Sequence, residues 1–193
     1  MQTTFPRLLL KHAIERPKAT AMREKEFGIW QALYWADLRQ LVEHIAGGLH
    51  QAGLRRDDHM VVVGSNRPRL YATMLAIQAL GAVPIPLYQD AAAAECVFPI
   101  NNADVKFAFA EDQEQVDKLL EIREQCPQLA HVYFDDPRGL RDYDEAGLAS
   151  IDELMAAGTA FAAQHPDFFR EQVEQAKPDD VAAMFFTSGT TGN

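Results

Sequence analysis

Residues 181–193, VAAMFFTSGTTGN, combine an apolar run with a loop of hydroxyls and glycines. The apolar run, Val181 to Phe186, is typical of a buried strand, although periodicity alone does not exclude a short helix. The loop that follows consists of Thr187, Ser188, Gly189, Thr190, Thr191 and Gly192. Glycines let a ligand approach the backbone closely, hydroxyls donate to anionic oxygens, and successive amides in a turn can hold an anion. A strand that runs into this loop therefore indicates a phosphate-binding site.

Two other phosphate-binding patterns do not match this segment. The Walker pattern requires Gly-Lys followed by Ser or Thr, and no lysine follows Gly189 or Gly192 up to Asn193. The dinucleotide pattern GxGxxG is absent because the two glycines stand alone. A solvated turn after a core strand explains the same composition, so these residues alone leave both interpretations open.

Composition favours one soluble globular domain. The 193 residues can form a sizeable core, and 48% hydrophobic and 24% charged residues are ordinary fractions. The net charge of −10 argues against a nucleic-acid partner and against tight docking to an anionic membrane. No apolar run approaches the roughly 20 residues that span a bilayer. Cys96 and Cys126 lack metal-site spacing, which favours reduced thiols in a cytoplasmic protein.

Apolar spacing and turn residues predict strands that alternate with helices. A helix is predicted between Pro6 and Pro17 with Thr4 as its cap, and a β-hairpin over residues 20–24 and 29–34. A longer helix is predicted from Asp37, or the residue before it, to Gly53. Further strands are predicted at residues 59–63, 83–87, 105–110 and 131–134, and helices at residues 70–80, 91–101 and 113–125.

Prolines predict two irregular elements in this series. Pro84 and Pro86 favour a strained segment or an edge strand at residues 83–87 over a central strand, because proline has no amide hydrogen to donate. Pro99 is expected to kink or shorten the helix at residues 91–101.

The last third of the chain is predicted to be partly exposed. Residues 135–145 form an acidic segment that we expect to be a solvated loop. Ser150 and Glu153 form a capping box for a short helix, which we expect to end at Gly158. A second short helix is expected from residue 165 to residue 176, followed by a turn into the strand at Val181.

This order of elements predicts an α/β fold. We expect a mostly parallel sheet with helices on both faces, together with an N-terminal β-hairpin. Ligands of such sheets bind beyond the carboxyl ends of the strands, and one such end is where we expect residues 187–192.

Other candidate sites have weaker support. The six histidines are scattered without metal-site spacing. Ser188 does not lie in a GxSxG motif, so the sequence does not support acyl-enzyme chemistry. Residues 66–68, Asn-Arg-Pro, follow a predicted strand and could face a ligand, although a turn that begins a helix also explains them.

The segment FTSGTTG resembles the phosphate-binding signature of the acyl-adenylate-forming enzymes, which include acyl-CoA synthetases, luciferases and peptide-synthetase adenylation domains. In that family the signature continues through Pro-Lys-Gly, beyond Asn193 of this chain. Other segments resemble the family's N-terminal half in the same order; they are residues 36–54, 61–63, 65–68 and 80–88. Residues 111–119 are most similar to the bacterial long-chain fatty acyl-CoA synthetases. Two residues depart from the family pattern: Arg69 occupies a position where an acidic residue is usual, and Pro99 interrupts a helix that the family usually has.

The resemblance implies a truncated adenylate-forming fold. Residues 1–193 would be the N-terminal portion of the adenylation (AMP-binding) domain, with the C-terminal domain absent. The implied enzyme is a long-chain fatty acid–CoA ligase, in which a carboxylate attacks ATP to give acyl-AMP and pyrophosphate, and the coenzyme A thiol then displaces AMP. The ATP phosphates would bind residues 187–192, and Thr190 would be the loop hydroxyl nearest Mg²⁺.

The resemblance also sets expectations for the isolated chain. Because the family's other substrate-binding residues come later in its sequence, we expect this chain alone to be inactive and to bind ATP weakly or not at all. An unpaired sheet edge would favour self-association. We expect a cytoplasmic protein or one peripheral to the inner membrane. Two alternatives stay open, namely an adenylate-forming ligase for an aromatic or amino acid, and a non-catalytic scaffold with the same fold.

Overall fold

The computed structural model describes residues 3–187. The α-helices within this range are α1 (Phe5–Glu15), α2 (Trp35–Ala52), α3 (Pro68–Ala79), α4 (Ala93–Asn102), α5 (Gln113–Glu121), α6 (Ile151–Gln164) and α7 (Phe168–Gln175). The strands are β1 (Thr20–Glu26), β2 (Ile29–Tyr34), β3 (His59–Val63), β4 (Val83–Leu87), β5 (Phe107–Ala110), β6 (His131–Phe134) and β7 (Leu148–Ser150). A single 3₁₀ turn, Arg123–Gln125, follows α5 within the same range.

The strands form two sheets. Strands β1 and β2 pair as an antiparallel hairpin, and the other five form a sheet in the order β4-β3-β5-β6-β7 in which each neighbouring pair is parallel. The predicted α/β class, the mostly parallel sheet and the N-terminal hairpin are therefore confirmed. Strand β7 was not predicted, because three residues are too few to show a periodic pattern.

Helices cover both faces of the larger sheet, as predicted. Met60 and Val62 of β3 belong to a buried cluster with residues of α1, α2, α3, α6 and α7. Val61 and Val63 point the other way, into a second buried cluster with residues of α4 and α5. Alternate residues of a strand face opposite sides of a sheet, and both sides are buried here. This explains why β3 is apolar at nearly every position.

The expected end signals of the early elements are present. The Thr4 hydroxyl accepts a hydrogen bond from the Arg7 amide at the start of α1. Phe27 and Gly28 both have positive φ in the turn between β1 and β2, which is the backbone geometry of a tight hairpin. Gly53 ends α2 in the left-handed conformation.

Helix α4 continues through Pro99 instead of ending there. It begins two residues later than predicted and runs to Asn102. Pro99 and Ile100 are both buried, so packing keeps this part of the helix in place despite the missing amide. The shortening that we expected at Pro99 is not observed, and that part of the prediction was wrong.

Gly158 does not end α6, and this prediction was wrong. The helix runs to Gln164, and Gly158 is buried in its middle against Gly47 and Gly48 of α2. A methyl group at Gly158 would overlap the carbonyl oxygen of His44. Glycine is therefore required here because two helices approach closely, and not because a helix stops.

The final strand predicted from Val181 onward is also not formed. Residues 181–187 are neither helix nor strand, and the side chains of Val181 and Phe185 are 58% and 69% exposed. This segment lies beside β4, where the Met184 amide donates to the Pro84 carbonyl over 3.1 Å.

The proline pattern of β4 explains the missing strand. The Val83 amide donates toward β3, to the Asp58 carbonyl, so the alternation of the strand turns Pro84 and Pro86 to the outer edge. That edge offers carbonyl oxygens but no amide hydrogens at the two prolines, and it cannot complete a ladder. The predicted edge position of β4 is confirmed within residues 3–187.

Two features relate to the expected compartment and redox state. Cys96 and Cys126 are both free and buried, and burial raises the pKa of each thiol. None of the helices between residues 3 and 187 combines the length and the apolar character that crossing a bilayer requires.

The contact between α2 and α6 gives the first testable prediction. Gly158→Ala is expected to lower the free energy of unfolding by about 1–3 kcal/mol, because overlap with the His44 carbonyl outweighs the roughly 1 kcal/mol that alanine gains over glycine in a helix. Urea unfolding followed by circular dichroism measures this change. The control, Ala157→Ser, lies on the exposed side of α6 and should change the value by less than about 0.5 kcal/mol. An equally stable Gly158→Ala variant would contradict the close contact.

Candidate functional site

The predicted phosphate-binding loop is described only at its first residue. Thr187 is exposed and ends the described chain, whereas Ser188, Gly189, Thr190, Thr191 and Gly192 lie outside the described residues. Met184 lies beside Pro84. Thr187 comes three residues after Met184, and Leu87, the last residue of β4, comes three residues after Pro84. The segment from residue 181 therefore carries the chain toward the carboxyl edge of the sheet.

A cleft of about 730 Å³ opens at the carboxyl edge. Its floor is made by the residues that follow β3, β5 and β6, and the β1–β2 hairpin forms one wall. The lining residues are Glu24, Glu26, Phe27, Arg67, Pro68, Arg69, Glu111, Asp112, Asp135, Asp136, Pro137, Arg138 and Asp152. We refer to this space as the carboxyl-edge cleft.

Glu111 is the centre of a hydrogen-bond network in this cleft. It follows β5, and the parallel pairing of β5 with β3 brings it beside Ser65, which follows β3. The Ser65 amide and hydroxyl both donate to its carboxylate, the hydroxyl at 2.7 and 2.8 Å, and the Arg67 guanidinium donates at 2.7 Å. Burial raises the pKa of Glu111, but the hydrogen bonds from Ser65 and Arg67 outweigh it, so its pKa lies below the ordinary value.

Arg67 connects this network to the hairpin. Besides its bond to Glu111, it contacts the Glu24 carboxylate of β1 at 3.4 Å. Asn66, which precedes α3, instead accepts a hydrogen bond at 2.8 Å from the hydroxyl of Tyr71 in the first turn of that helix. Of the segment at residues 66–68, Arg67 therefore faces the cleft, while Asn66 has the local role that a helix-starting turn predicts.

Arg69 forms a second charged group deeper in the fold. Its guanidinium contacts the Asp135 carboxylate at 2.9 Å and the Asp152 carboxylate at 2.8 Å, and so joins the starts of α3 and α6 to the end of β6. Burial raises the pKa of Asp135, and the nearby Arg69 offsets only part of that effect. Asp135 is therefore not a solvated loop carboxylate, and our expectation for residues 135–145 was wrong at this position. The two carboxylates give Arg69, the departure from the family pattern, a local charge partner.

The charges of the carboxyl-edge cleft do not suit a polyphosphate. Each of its arginines, Arg67, Arg69 and Arg138, is already paired with carboxylates. The remaining lining carboxylates leave the cleft net negative, which repels an anion. Among residues 3–187, no group of three or more His, Cys, Asp or Glu side chains is arranged to hold a metal ion. A nucleotide triphosphate therefore has no matching charges in the part of the edge described here.

This cleft could be predicted from the sequence only in part. Ser65 and Glu111 were not identified as site residues, because the spacing of 46 positions between them carries no motif. The available signal was their place directly after two predicted strands, since the carboxyl ends of parallel strands meet at one edge.

The Glu111 network gives the second prediction. Glu111→Gln is expected to lower the free energy of unfolding at neutral pH by about 1–2 kcal/mol, because Ser65 and Arg67 lose a charged acceptor that is partly screened by solvent. The pKa of Glu111 in the folded protein lies below the value of 4.5 of the free group. The stability that its ionised carboxylate contributes is therefore present above pH 4.5 and is lost as the pH falls through the lowered pKa. The difference between the two proteins should therefore shrink in acid.

Chemical denaturation over a series of pH values measures this difference. Glu121→Gln, at an exposed position of α5, is the matched control and should change stability by less than about 0.5 kcal/mol. A difference for Glu111→Gln that stays constant as the pH falls well below 4.5 would contradict the lowered pKa.

Comparisons with known proteins agree with the sequence motif. The model of the family described as AMP-binding enzyme matches residues 9–193. The long-chain-fatty-acid–CoA ligase FadD15 of Mycobacterium bovis is 23% identical over 185 residues, which cover 96% of this chain and 29% of that protein. The chain thus spans less than a third of the length of such curated relatives.

Solved structures agree with the fold. Acetoacetyl-CoA synthetase from Streptomyces lividans superposes with a TM-score of 0.77 at 23% identity, over 97% of this chain and 28% of that one. The anthranilate CoA ligase AuaEII superposes with a TM-score of 0.69 at 13% identity, over 81% of this chain and 28% of that one. At these identities the likeness establishes the shared fold and does not extend to the substrate.

Proposed function

The chain belongs to the AMP-binding enzyme family, and we propose that residues 1–193 are the N-terminal portion of the adenylation domain of an ATP-dependent long-chain fatty acid–CoA ligase. The observation that carries this proposal is the sequence FTSGTTG, which follows a segment leading to the carboxyl edge of a parallel sheet. The names of the curated relatives, long-chain-fatty-acid–CoA ligases at 21–26% identity, support fatty acids as the substrate class.

In this proposal the loop holds ATP. The hydroxyls of Thr187, Ser188, Thr190 and Thr191, with nearby backbone amides, bind the β- and γ-phosphates. Thr190 is the hydroxyl nearest Mg²⁺, and Gly189 and Gly192 let the loop adjust as ATP binds and pyrophosphate leaves. Adenylyl transfer needs positioning and charge neutralisation more than covalent help from the protein, and this loop can supply both.

The reaction has two steps. The carboxylate of the fatty acid attacks the α-phosphate of ATP, which forms acyl-AMP and releases pyrophosphate. The thiol of coenzyme A then attacks the acyl carbon, which forms the thioester and releases AMP. Because both ATP and coenzyme A are polyanions, we propose that neither binds in the net negative carboxyl-edge cleft.

ATP–pyrophosphate exchange tests the proposal in a protein extended beyond Asn193. With a panel of fatty, aromatic and amino acids, we expect exchange to be fastest with long-chain fatty acids. Thr190→Ala should slow exchange by roughly 10- to 100-fold, the effect of losing a hydrogen bond to a charged group. The control is Thr159→Ala, because the Thr159 hydroxyl donates to the Met155 carbonyl within α6.

Two outcomes of this assay would contradict the proposed function, and one result with the 193-residue chain would contradict its expected inactivity. Fastest exchange with aromatic or amino acids would favour an adenylate-forming ligase for another acid. Absence of exchange with every acid would favour a non-catalytic scaffold. Acyl-CoA formation by the 193-residue chain alone would contradict our expectation that this portion is inactive by itself.

We also propose that the isolated chain self-associates. Tyr88, which directly follows β4, is 83% exposed, and Phe98, whose ring lies 6.0 Å from that of Phe186, is 67% exposed. Phe185 is also exposed, on the segment beside β4. Burying such side chains against a second copy removes apolar surface from water. Sedimentation velocity should therefore detect a species larger than the monomer as concentration rises, and Phe98→Ser should reduce it. Phe27→Ser, at the exposed hairpin tip, is the control, and a monomer at every concentration would contradict the proposal.

A further inference from the structure

Gln78 of α3 contacts the segment that leads to the hydroxyl–glycine loop. Its side-chain amide Nε2 donates to the carbonyl oxygen of Ala182 over 2.6 Å. Two residues further along, the Met184 amide donates to the Pro84 carbonyl over 3.1 Å. The segment is therefore held by one side-chain bond and one backbone bond, which lie on either side of Ala183.

These two bonds have the pattern of a parallel β-ladder. In such a ladder, residue j of one strand lies opposite residue i of the other. The carbonyl of j accepts from the amide of residue i+1, and the amide of j donates to the carbonyl of residue i−1. Pro84 lies opposite Ala183 in this sense, because its carbonyl accepts from Met184. The matching amide bond would run from residue 84 to Ala182, but proline has no amide hydrogen. The Ala182 carbonyl, to which Pro84 cannot donate, accepts its hydrogen bond from Gln78 instead.

We infer that Gln78 is a positioning residue whose side-chain amide replaces the missing backbone amide of Pro84. It holds residues 181–187 in parallel register against β4, and so determines where Thr187, the last described residue, reaches the carboxyl edge. The register itself is independent of the activity of the protein. Its importance for binding ATP rests on the proposed function.

The other contacts of this segment do not set its register against β4. Asp180 is bonded to Arg56 at 3.0 Å and to the Lys177 amide at 2.8 Å, which fixes the residue before the segment. Met184 and Phe186 pack on the cluster of α4 and α5, but apolar packing is not directional. Between Asp180 and Met184, the bond from Gln78 sets the distance of the chain from β4.

Hydrogen exchange at the Met184 amide tests this inference in the 193-residue chain. Gln78→Met keeps the length of the side chain and removes the donor, and Gln78→Asn keeps the amide but shortens its reach. Both variants should speed exchange at the Met184 amide about fivefold, which is the effect of losing one ordinary hydrogen bond. The rate is measured relative to the buried Val61 and Val62 amides of β3, which serve as internal references. Gln40→Met, at an exposed position of α2, is the control and should leave the relative rate unchanged.

A rescue variant separates this role from general packing. Pro84→Ala restores a backbone amide that can donate to the Ala182 carbonyl, so the double variant Gln78→Met with Pro84→Ala should recover the relative exchange rate of the parent chain. Unchanged exchange in Gln78→Met, or no recovery in the double variant, would overturn the inference.

The test does not depend on the ligase proposal. Exchange at Met184 requires neither ATP nor an acid substrate, so an inactive protein with the expected exchange pattern would contradict only the proposed function. An active enzyme in which Gln78→Met leaves Met184 exchange unchanged would contradict only the role of Gln78.

Discussion

The parallel register of β3 with β4 on one side and β5 on the other is the constraint on which the structure depends. It aligns the carboxyl ends of the strands, so that Ser65 and Glu111 meet although they are distant in sequence. It also turns Pro84 outward, which gives the last described segment an edge that accepts hydrogen bonds but does not donate them. The network around Glu111 and the position of residues 181–187 are both consequences of this one arrangement.

The two ends of the carboxyl edge differ in charge. At β5 and β6, carboxylates outnumber arginines and hold them in ion pairs, which makes a cleft that repels anions. Beside β4, residues 181–187 lead toward the edge, and the sequence continues with hydroxyl-bearing residues and glycines. The chemistry of the residues favours a triphosphate beside β4 and disfavours one in the carboxyl-edge cleft at β5 and β6. This division supports the proposal that nucleotide binding belongs to the loop.

Much of the fold could be predicted because its signals are local. The hairpin turn at Gly28, the helix end at Gly53 and the apolar run of β3 each depend on a few neighbouring residues. The edge position of β4 was also predictable, since two prolines exclude a central strand.

The errors arose where distant residues decide the outcome. Gly158 has the composition of a helix end, but its contact with α2 keeps the helix intact. The apolar run from Val181 has the composition of a strand, but the edge beside it lacks donors. In the same way, the acidic composition around Asp135 did not reveal its pairing with Arg69. Composition indicates what a segment favours, and the neighbouring elements determine what it adopts.

The most direct measurement of the central claim is a crystal structure of a protein extended beyond Asn193 with a non-hydrolysable ATP analogue. We expect triphosphate oxygens within about 2.7–3.2 Å of hydroxyls and amides of residues 187–192, beyond the carboxyl end of β4. A triphosphate bound among Glu111 and its neighbours, or a loop packed away from the nucleotide, would contradict it.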